Sequence, residues 1–277
     1  MVLPHNAKWF YAVAGSGVVL GIFNYFQSEK KCVETSWTTN FEPSIKWDYN
    51  WDKRDIASMV KPIKDENDPA EQNRINEQRS QLQPTATRNI FLIRHGQYDE
   101  WARRDADRHL TMLGYKQAEL VGQRLKSLDF NYTKLIRSTM TRALETGEII
   151  HKYFPDLPVE DDDLLREGSP VPPEPPTGSY REEYKFYEDG ARIEAAFRRY
   201  FHRADARQKS DSYEIIVCHA NVIRYFFCRL LQFPPEAWMR FVLHHCSMTW
   251  IAIRPTGRVA VYTLGDIGHL PKDKMTR

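Results

Sequence analysis

The chain has 277 residues, which is enough for one large domain or two smaller ones. Hydrophobic residues make up 42% of it and charged residues 27%, as in globular proteins with a sizeable core. The 39 Lys and Arg residues nearly balance the 37 Asp and Glu residues, and a net charge of +2 excludes a nucleic-acid binder that works through bulk charge. Four cysteines without a C-x-x-C pair indicate reduced thiols rather than a disulfide framework.

The first distinct segment, residues 9–26, is apolar and carries no formal charge. As a helix that rises about 1.5 Å per residue it would be roughly 27 Å long, close to the hydrocarbon thickness of a bilayer. Aromatic residues stand at both of its ends, as they do at membrane interfaces. We therefore predict a membrane anchor over residues 1–28. The alternatives are a cleaved secretory signal peptide and a buried core helix.

Residues 29–88 are polar and contain four prolines and a long charged run, so we predict a flexible linker with one short helix near residues 71–81. The stretch WDYNWD at residues 47–52 breaks this pattern, because two tryptophans in a solvated linker would expose a large apolar area. Such an area usually marks a contact surface. The alternative is that the Trp47 and Trp51 rings fold back onto the following domain.

Residues 89–277 alternate between strand-like and helix-like segments, the pattern of an α/β domain. This order favours a mostly parallel sheet with helices on both faces. A hairpin that turns at residues 255–257 closes the domain. The predicted strands are residues 89–95, 134–138 and 213–219 and the two arms of that hairpin. The predicted helices are residues 111–128, 139–154, 191–207 and 221–231. Ser138 or Thr139 is the predicted N-cap of the helix over residues 139–154.

Basic side chains and histidines follow three of these strands. In a parallel sheet the carboxyl ends of the strands meet at one edge, where ligands bind. Helix N-termini at that edge attract anions, and Arg pairs phosphate oxygens in bidentate fashion. The sequence therefore predicts a phosphate pocket, and the residues that reach it are Arg94, His95, Ser138, Arg142, His219 and Asn221.

Zinc is the competing ligand for these histidines and for the run His244, His245 and Cys246. No Cys, Asp or Glu stands at a metal-ligand spacing from His95, and arginine neighbours repel a cation. We predict no metal and no other cofactor.

Three motifs carry a family resemblance: LIRHG at residues 92–96, STMTRALET at 138–146 and IIVCHANVIRY at 215–225. Together they resemble the histidine phosphatase superfamily, whose fold is phosphoglycerate-mutase-like, over roughly residues 89–266. Further segments resemble a mitochondrial branch of that superfamily that acts on phosphoproteins. They are LLREGSPVPPEPP, DGARIEAAFRRYFHRADARQ, CHANVIRYFFCRLLQFPPEAW, WDYNWD and the amino-terminal apolar segment. One departure is Cys218 before His219, where many members have glycine.

The resemblance implies catalytic roles. His95 would be the nucleophile that becomes phosphohistidine, and Glu167 would protonate the leaving group and then activate water. A protonated His219 would hold the phosphoryl oxygens together with two arginines. The implied phosphate ligands are Arg94 and Arg142, and Gln97 and Ser138 would add hydrogen bonds.

The resemblance also implies a location and an assembly. The protein would sit in the mitochondrion, anchored more naturally in the outer membrane. It would form a homo-oligomer in which the WDYNWD segment docks on a neighbouring subunit and raises activity. The implied contact residues are Trp47, Asp48, Asn50, Trp51 and Asp52.

Three functions remain open from the sequence. The first is a membrane-anchored phosphatase for phosphoserine or phosphothreonine proteins, with phosphohistidine as a further substrate. The second is a small-molecule phosphatase or phosphoglycerate mutase, and the third is a catalytically idle membrane scaffold. The loop that follows Glu167, residues 168–180, is rich in proline and lacks Lys and Arg, which favours a polypeptide substrate over a small di-anion.

Overall fold

The computed structural model describes residues 43–62, 67–177 and 181–277. The predicted anchor, residues 1–28, lies outside these ranges. Within them, no helix combines the length and apolarity needed to cross a bilayer. Trp47–Arg277 form one compact unit.

The centre of this unit is a six-stranded mixed sheet in the order β3-β2-β4-β1-β5-β6. Neighbours from β3 to β1 pair in parallel, whereas β5 pairs antiparallel with β1 and β6 antiparallel with β5. The strands are β1 (Arg88–Arg94), β2 (Lys134–Ser138), β3 (Val159–Asp162), β4 (Ser212–Cys218), β5 (Met248–Ile253) and β6 (Val259–Asp266).

Six α-helices accompany the sheet among the described residues, and short 3₁₀ turns at Asp105–Asp107, Asp163–Leu165, Pro235–Arg240 and Lys272–Lys274 complete the connections. The helices are α1 (Ile56–Met59), α2 (Pro69–Leu82), α3 (Met112–Ser127), α4 (Thr141–His151), α5 (Glu183–Tyr200) and α6 (Ala220–Leu230). The short helix predicted near residues 71–81 is therefore confirmed as α2. Its start follows from Asp68, whose side chain accepts the N–H of Ala70, and from Pro69 at the first helical position.

Two apolar layers cover the sheet, one on each face. Side chains alternate along β1, so Ile90 and Leu92 join the layer with α5 and α6, while Phe91 and Ile93 join the layer with α3 and α4. All four are fully buried. The prediction of an α/β sheet with helices on both faces is confirmed, although the antiparallel β5–β6 hairpin makes the sheet mixed.

Two local predictions are wrong. Strand β3 was missed because VEDD has no apolar alternation and lies at the edge of the sheet. Neither Ser138 nor Thr139 is the cap residue of α4, which begins after Met140 without a side-chain cap. The Ser138 hydroxyl does not cap the helix but lies 2.8 Å from His219 Nε2.

The WDYNWD segment packs against its own domain. The Trp51 ring is 7% exposed, lies 6.0 Å from the Phe197 ring, and donates from Nε1 to the Gly257 carbonyl at 2.8 Å. Asp52 forms a buried ion pair with Arg203 at 3.0 Å. Exposure of the tryptophans is therefore wrong for Trp51, whose ring folds back onto the domain as the alternative had it. The boundary predicted at residue 89 stays a prediction, and the compact unit that contains this segment begins at Trp47. The partners of this segment lie more than a hundred residues away, so no local pattern announces them.

Replacing Trp51 should destabilise the compact unit. For Trp51→Ala we expect the free energy of unfolding to fall by about 3–5 kcal/mol, because a large buried ring and its hydrogen bond are lost. The matched control is Trp101→Ala at a ring that is 94% exposed, with an expected change within about 0.5 kcal/mol. Denaturant unfolding measures both, and equal stabilities of the two variants would contradict the packing described.

Candidate active site

The carboxyl ends of β1, β2 and β4 deliver the predicted residues to one place. In the parallel pairing of β1 with β4, Arg94 lies opposite Cys218, so the next residue on each strand is a histidine. The rings of His95 and His219 lie 5.0 Å apart between centroids. The site is thus formed where two adjacent central strands stop at the same level.

His95 is held in one tautomer. Its Nδ1 lies 2.9 Å from the Gly96 carbonyl, which can only accept, so Nδ1 carries the proton. Its Nε2 accepts from Arg142 Nε at 3.2 Å. Burial, together with the nearby His219 and arginine side chains, lowers the pKa of His95 well below its ordinary value. The ring is therefore neutral, with a lone pair on Nε2.

Arg142 stands in the first turn of α4 and is almost fully buried. Its Nη1 donates to Asp105 at 2.8 Å, and its guanidinium lies over the Tyr98 ring at 4.6 Å. These contacts leave its Nε facing His95. Sequence reasoning found Arg142 but missed Asp105, which begins a short 3₁₀ turn with no motif of its own.

His219 precedes α6 and is fully buried. Its Nε2 lies 2.8 Å from the Ser138 hydroxyl, and its Nδ1 has no partner among the described residues. Burial and the charges of Arg142 and Arg94 lower its pKa well below the ordinary value. The direction of this shift favours a neutral ring, and a protonated His219 beside a phosphoryl group stays a prediction.

Arg94 is positioned by the chain that leads into β5 and by the carboxyl terminus. Its Nη1 donates to the Leu243 carbonyl at 2.6 Å, and its Nη2 lies 3.0 Å from His245 Nε2. His245 in turn lies 2.9 Å, through Nδ1, from the Thr276 hydroxyl. Burial lowers the pKa of His245 to about 3, so a neutral ring accepts from the guanidinium. The site includes His245, which the sequence reading weighed only as a zinc ligand.

Glu167 lies half-buried beside this cluster. Burial raises the pKa of its carboxyl group, and the hydrogen bond from the Gly168 N–H and the charges of Arg142 and Arg94 oppose that rise only in part. A raised pKa makes it easier for a carboxyl group to carry the proton that a general acid gives. The environment of Glu167 is thus compatible with the predicted acid–base role.

Gln97 helps to build the loop after β1. Its side-chain carbonyl accepts from the Thr111 hydroxyl at 2.7 Å, and its N–H donates to Gln117 at 2.9 Å. These contacts tie the loop to the start of α3. Its direct contact with a phosphate stays a prediction.

Two further residues near the site were missed by sequence reasoning. Arg192 in α5 donates to the carbonyls of Arg166 and Glu167, and Arg224 in α6 lies near Glu167. Both lie in the middle of a helix, so only the folded structure brings them here. Of the residues missed, His245 could have been predicted from the sequence, because the HHC run lies just before the strand that pairs with β1.

The arrangement surrounds one neutral imidazole with cationic donors. Arg94 and Arg142 supply guanidinium N–H groups, and His219 stands at the N-terminus of α6, where the helix dipole is positive. Such a pocket suits a tetrahedral oxyanion, and His95 Nε2 is the candidate nucleophile within it. The three described cysteines are buried and free, and burial raises the pKa of Cys218, so its thiol does not compete.

The neutral state of His95 depends on the cations around it, and removal of one should raise its pKa. In Arg142→Gln we expect the His95 imidazole to titrate at a higher pH than in the unchanged chain, because a positive charge 3.2 Å from Nε2 is gone. A pH titration of the imidazole nitrogens by NMR measures this. His109, exposed and with a pKa raised by Glu145, is the internal reference. A His95 pKa that is unchanged or lower in the variant would contradict the electrostatic account.

The chain was compared with known families and proteins. Residues 90–264 match the model of the histidine phosphatase superfamily (branch 1). The chain is 51% identical over 232 residues to the mitochondrial serine/threonine-protein phosphatase PGAM5 of Homo sapiens, covering 83% of this chain and 80% of that protein. It is 46% identical over 269 residues to Pgam5 of Drosophila ananassae, which has the same descriptive name, covering 95% and 93%.

Solved structures agree on the fold. The phosphoglycerate mutase of Plasmodium falciparum is 34% identical, with a TM-score of 0.50, and the match covers 68% of this chain and 96% of that one. The YhfR protein of Bacillus stearothermophilus, 22% identical with a TM-score of 0.52 over 66% and 98%, shares the fold alone. The fold is thus the phosphoglycerate-mutase-like α/β fold, and this chain belongs to the histidine phosphatase superfamily.

Proposed function

We propose that the protein is a serine/threonine-protein phosphatase that works through a phosphohistidine on His95. The observation that carries the proposal is the neutral His95, whose Nε2 lone pair lies 3.2 Å from the Arg142 guanidinium in a buried, cationic pocket. Relatives about 50% identical over most of the chain bear that name. Phosphohistidine proteins are a further substrate class with the same phosphoryl chemistry.

In the first step His95 Nε2 attacks phosphorus in line with the ester oxygen. The N–P bond forms as the P–O bond breaks, and the carboxyl group of Glu167 gives its proton to the departing serine or threonine oxygen. Arg94 and Arg142 hold the equatorial oxygens, where charge spreads in the transition state. The phosphoryl dianion offsets the arginine charges that lower the pKa of His219, and this favours its protonated, donating form.

In the second step the Glu167 carboxylate takes a proton from a water molecule as that water attacks phosphorus. The N–P bond breaks, inorganic phosphate forms, and His95 returns to the neutral tautomer held by the Gly96 carbonyl. Glu167 is again protonated. The cycle consumes one water and needs no metal or organic cofactor.

The choice of a protein substrate rests on the surroundings of Glu167. Five prolines follow it within residues 168–176, and they form an open rim rather than a closed cavity with a dense ring of cations. The second candidate, a small-molecule phosphatase or mutase, is favoured by the 34% identity to a phosphoglycerate mutase. The idle scaffold is disfavoured because every predicted catalytic side chain is present.

The proposal is tested by phosphate release from a phosphothreonine peptide and from 3-phosphoglycerate by the purified chain. We expect release from the peptide, and loss of about 10⁵-fold or more of kcat/KM in His95→Ala, the scale of a lost nucleophile. The matched control is His151→Ala, which should retain activity. His151 is a half-buried residue at the end of α4, and its ring lies within hydrogen-bond distance of the Leu157 carbonyl. Release from 3-phosphoglycerate but not from the peptide would replace the proposal with the second candidate.

The role of Glu167 predicts a dependence on the leaving group. In Glu167→Gln we expect kcat/KM for the phosphothreonine peptide to fall about 10²–10⁴-fold, because an alkoxide cannot depart without a proton. For p-nitrophenyl phosphate, whose phenolate departs unprotonated, kcat/KM should change little. Equal losses on the two substrates would show that Glu167 is not the general acid.

A mitochondrial membrane location is also proposed. It rests on the apolar residues 9–26 and on relatives whose names say mitochondrial. Of the mitochondrial membranes, we propose the outer one for this anchor. Release of the mitochondrial protein by alkaline carbonate extraction would argue against an anchor.

Homo-oligomerisation through the WDYNWD segment stays part of the proposal. The contacts that Trp51 and Asp52 make within the domain are compatible with exchange between subunits, because the same pocket at Gly257 and Arg203 would receive a neighbour's segment. An unchanged sedimentation coefficient after replacing both Trp47 and Trp51 by Ala would argue against it.

A further inference from the structure

A cleft of about 400 Å³ lies beside the catalytic residues, and we name it the proline cleft. Its walls come from the loop after Glu167, from the start of α6 and from the 3₁₀ turn at Pro235–Arg240. The residues that decide its character are Ser169, Pro172, Arg181, Asn221, Trp238 and Met239. It is therefore a mixed surface, with apolar walls and a few polar groups.

Two residues that line the cleft are close neighbours of site residues along the chain. Ser169 is two residues from Glu167, and Asn221 is two residues from His219. Asn221 Nδ2 donates to the Gly168 carbonyl at 3.1 Å and so joins these two edges. Because Glu167 serves the leaving oxygen, the cleft lies where the rest of the substrate continues beyond its phosphoryl group.

Arg224 stands at this junction and makes no ion pair among the described residues, and the nearby carboxylate whose charge acts on it is the catalytic candidate Glu167. Its Nη1 lies 3.2 Å from Asn221 Oδ1 and 3.6 Å from Met239 Sδ, both of which line the cleft. Its Nε is buried and has no partner, and within the described ranges no Asp or Glu oxygen lies within 4.0 Å of it. Arg229 on the same helix differs, because it is paired with Glu194 at 3.1 Å.

The charge of the cleft is positive. All ten lining residues are described, and none is Asp or Glu. Arg181 lines the cleft, whereas Arg224 contacts two of its lining residues, and the Asp189 partner of Arg181 is 3.8 Å away, at the limit of an ion pair. The loop after Glu167 carries no cation in sequence, but the fold places Arg224 and Arg181 beside it. An unpaired guanidinium at a half-buried surface favours an anionic partner.

We propose that the proline cleft binds the substrate chain next to the phosphorylated residue and that Arg224 recognises a carboxylate there. The inference rests on the proposed protein phosphatase function and specifies its substrate class, an acidic phosphopeptide. Residues of an extended peptide are spaced about 3.3–3.6 Å apart, so a side chain one or two residues from the phosphothreonine reaches past Glu167 into the cleft. The apolar walls contact its backbone and neighbouring side chains.

The test uses the purified full-length chain and phosphothreonine peptides that differ at one position. Glu is compared with Gln at each of the two positions on either side of the phosphothreonine. We expect kcat/KM to be about tenfold higher with Glu at one or more positions, mainly through a lower KM, and the preference to weaken at high salt. The Glu-to-Gln ratio is taken within one enzyme, so partial loss of folded protein does not affect it.

Variants then assign the preference. Arg224→Gln should reduce the ratio to within about twofold of unity, and Arg224→Lys should keep part of it because the charge remains. Arg229→Gln, on the same helix but paired with Glu194, is the matched control and should keep the full ratio. A preference that survives Arg224→Gln would overturn the assignment.

The outcomes separate this inference from the function on which it rests. Release of phosphate from no peptide would overturn the proposed function and the inference with it. Equal release from the Glu and Gln peptides by the unchanged chain would leave the phosphatase function standing and overturn the inference. This comparison needs no variant, so it decides the question even where Arg224→Gln does not fold.

Discussion

The hydrogen bonds of a single imidazole organise this site. The Gly96 carbonyl holds the proton of His95 on Nδ1, and Arg142 donates to Nε2, so the nitrogen that we propose attacks phosphorus stays unprotonated. A cationic pocket suits a phosphoryl group, and the same cations suppress protonation of His95. Binding and nucleophilicity are therefore two effects of the same charges.

The sheet makes this arrangement rigid. β1 and β4 lie side by side in the middle of the sheet, and their parallel register brings His95 and His219 to the same edge. The residues of both strands are fully buried over most of their length, so the site rests on the least mobile part of the core. β5 completes the support, because the chain that leads into it carries His245 to Arg94.

The amino-terminal part of the compact unit is held by the opposite end of the hairpin. The turn between β5 and β6 has Gly257 at a φ of +82°, a conformation that favours glycine, and its carbonyl accepts from Trp51. Arg203 binds Asp52 beside it. The turn of this hairpin therefore contacts the WDYNWD segment, and the chain that leads into its first strand contacts Arg94 in the candidate site.

Local pattern was enough for much of this protein. The alternation of apolar runs, the three motifs and the cations after the strands determined the α/β class, the position of the site and its main residues, because strand periodicity and parallel pairing act over short stretches. Only the tertiary structure decided what lies far apart in the chain. Packing of separate elements brings five further residues to the site: Asp105, Arg192, Arg224, His245 and Thr276. Trp51, which was expected to be exposed, is instead buried against residues that follow it by up to some two hundred positions. The pKa of His219 follows the same rule, since burial and the charges of Arg142 and Arg94, which no sequence window contains, lower it.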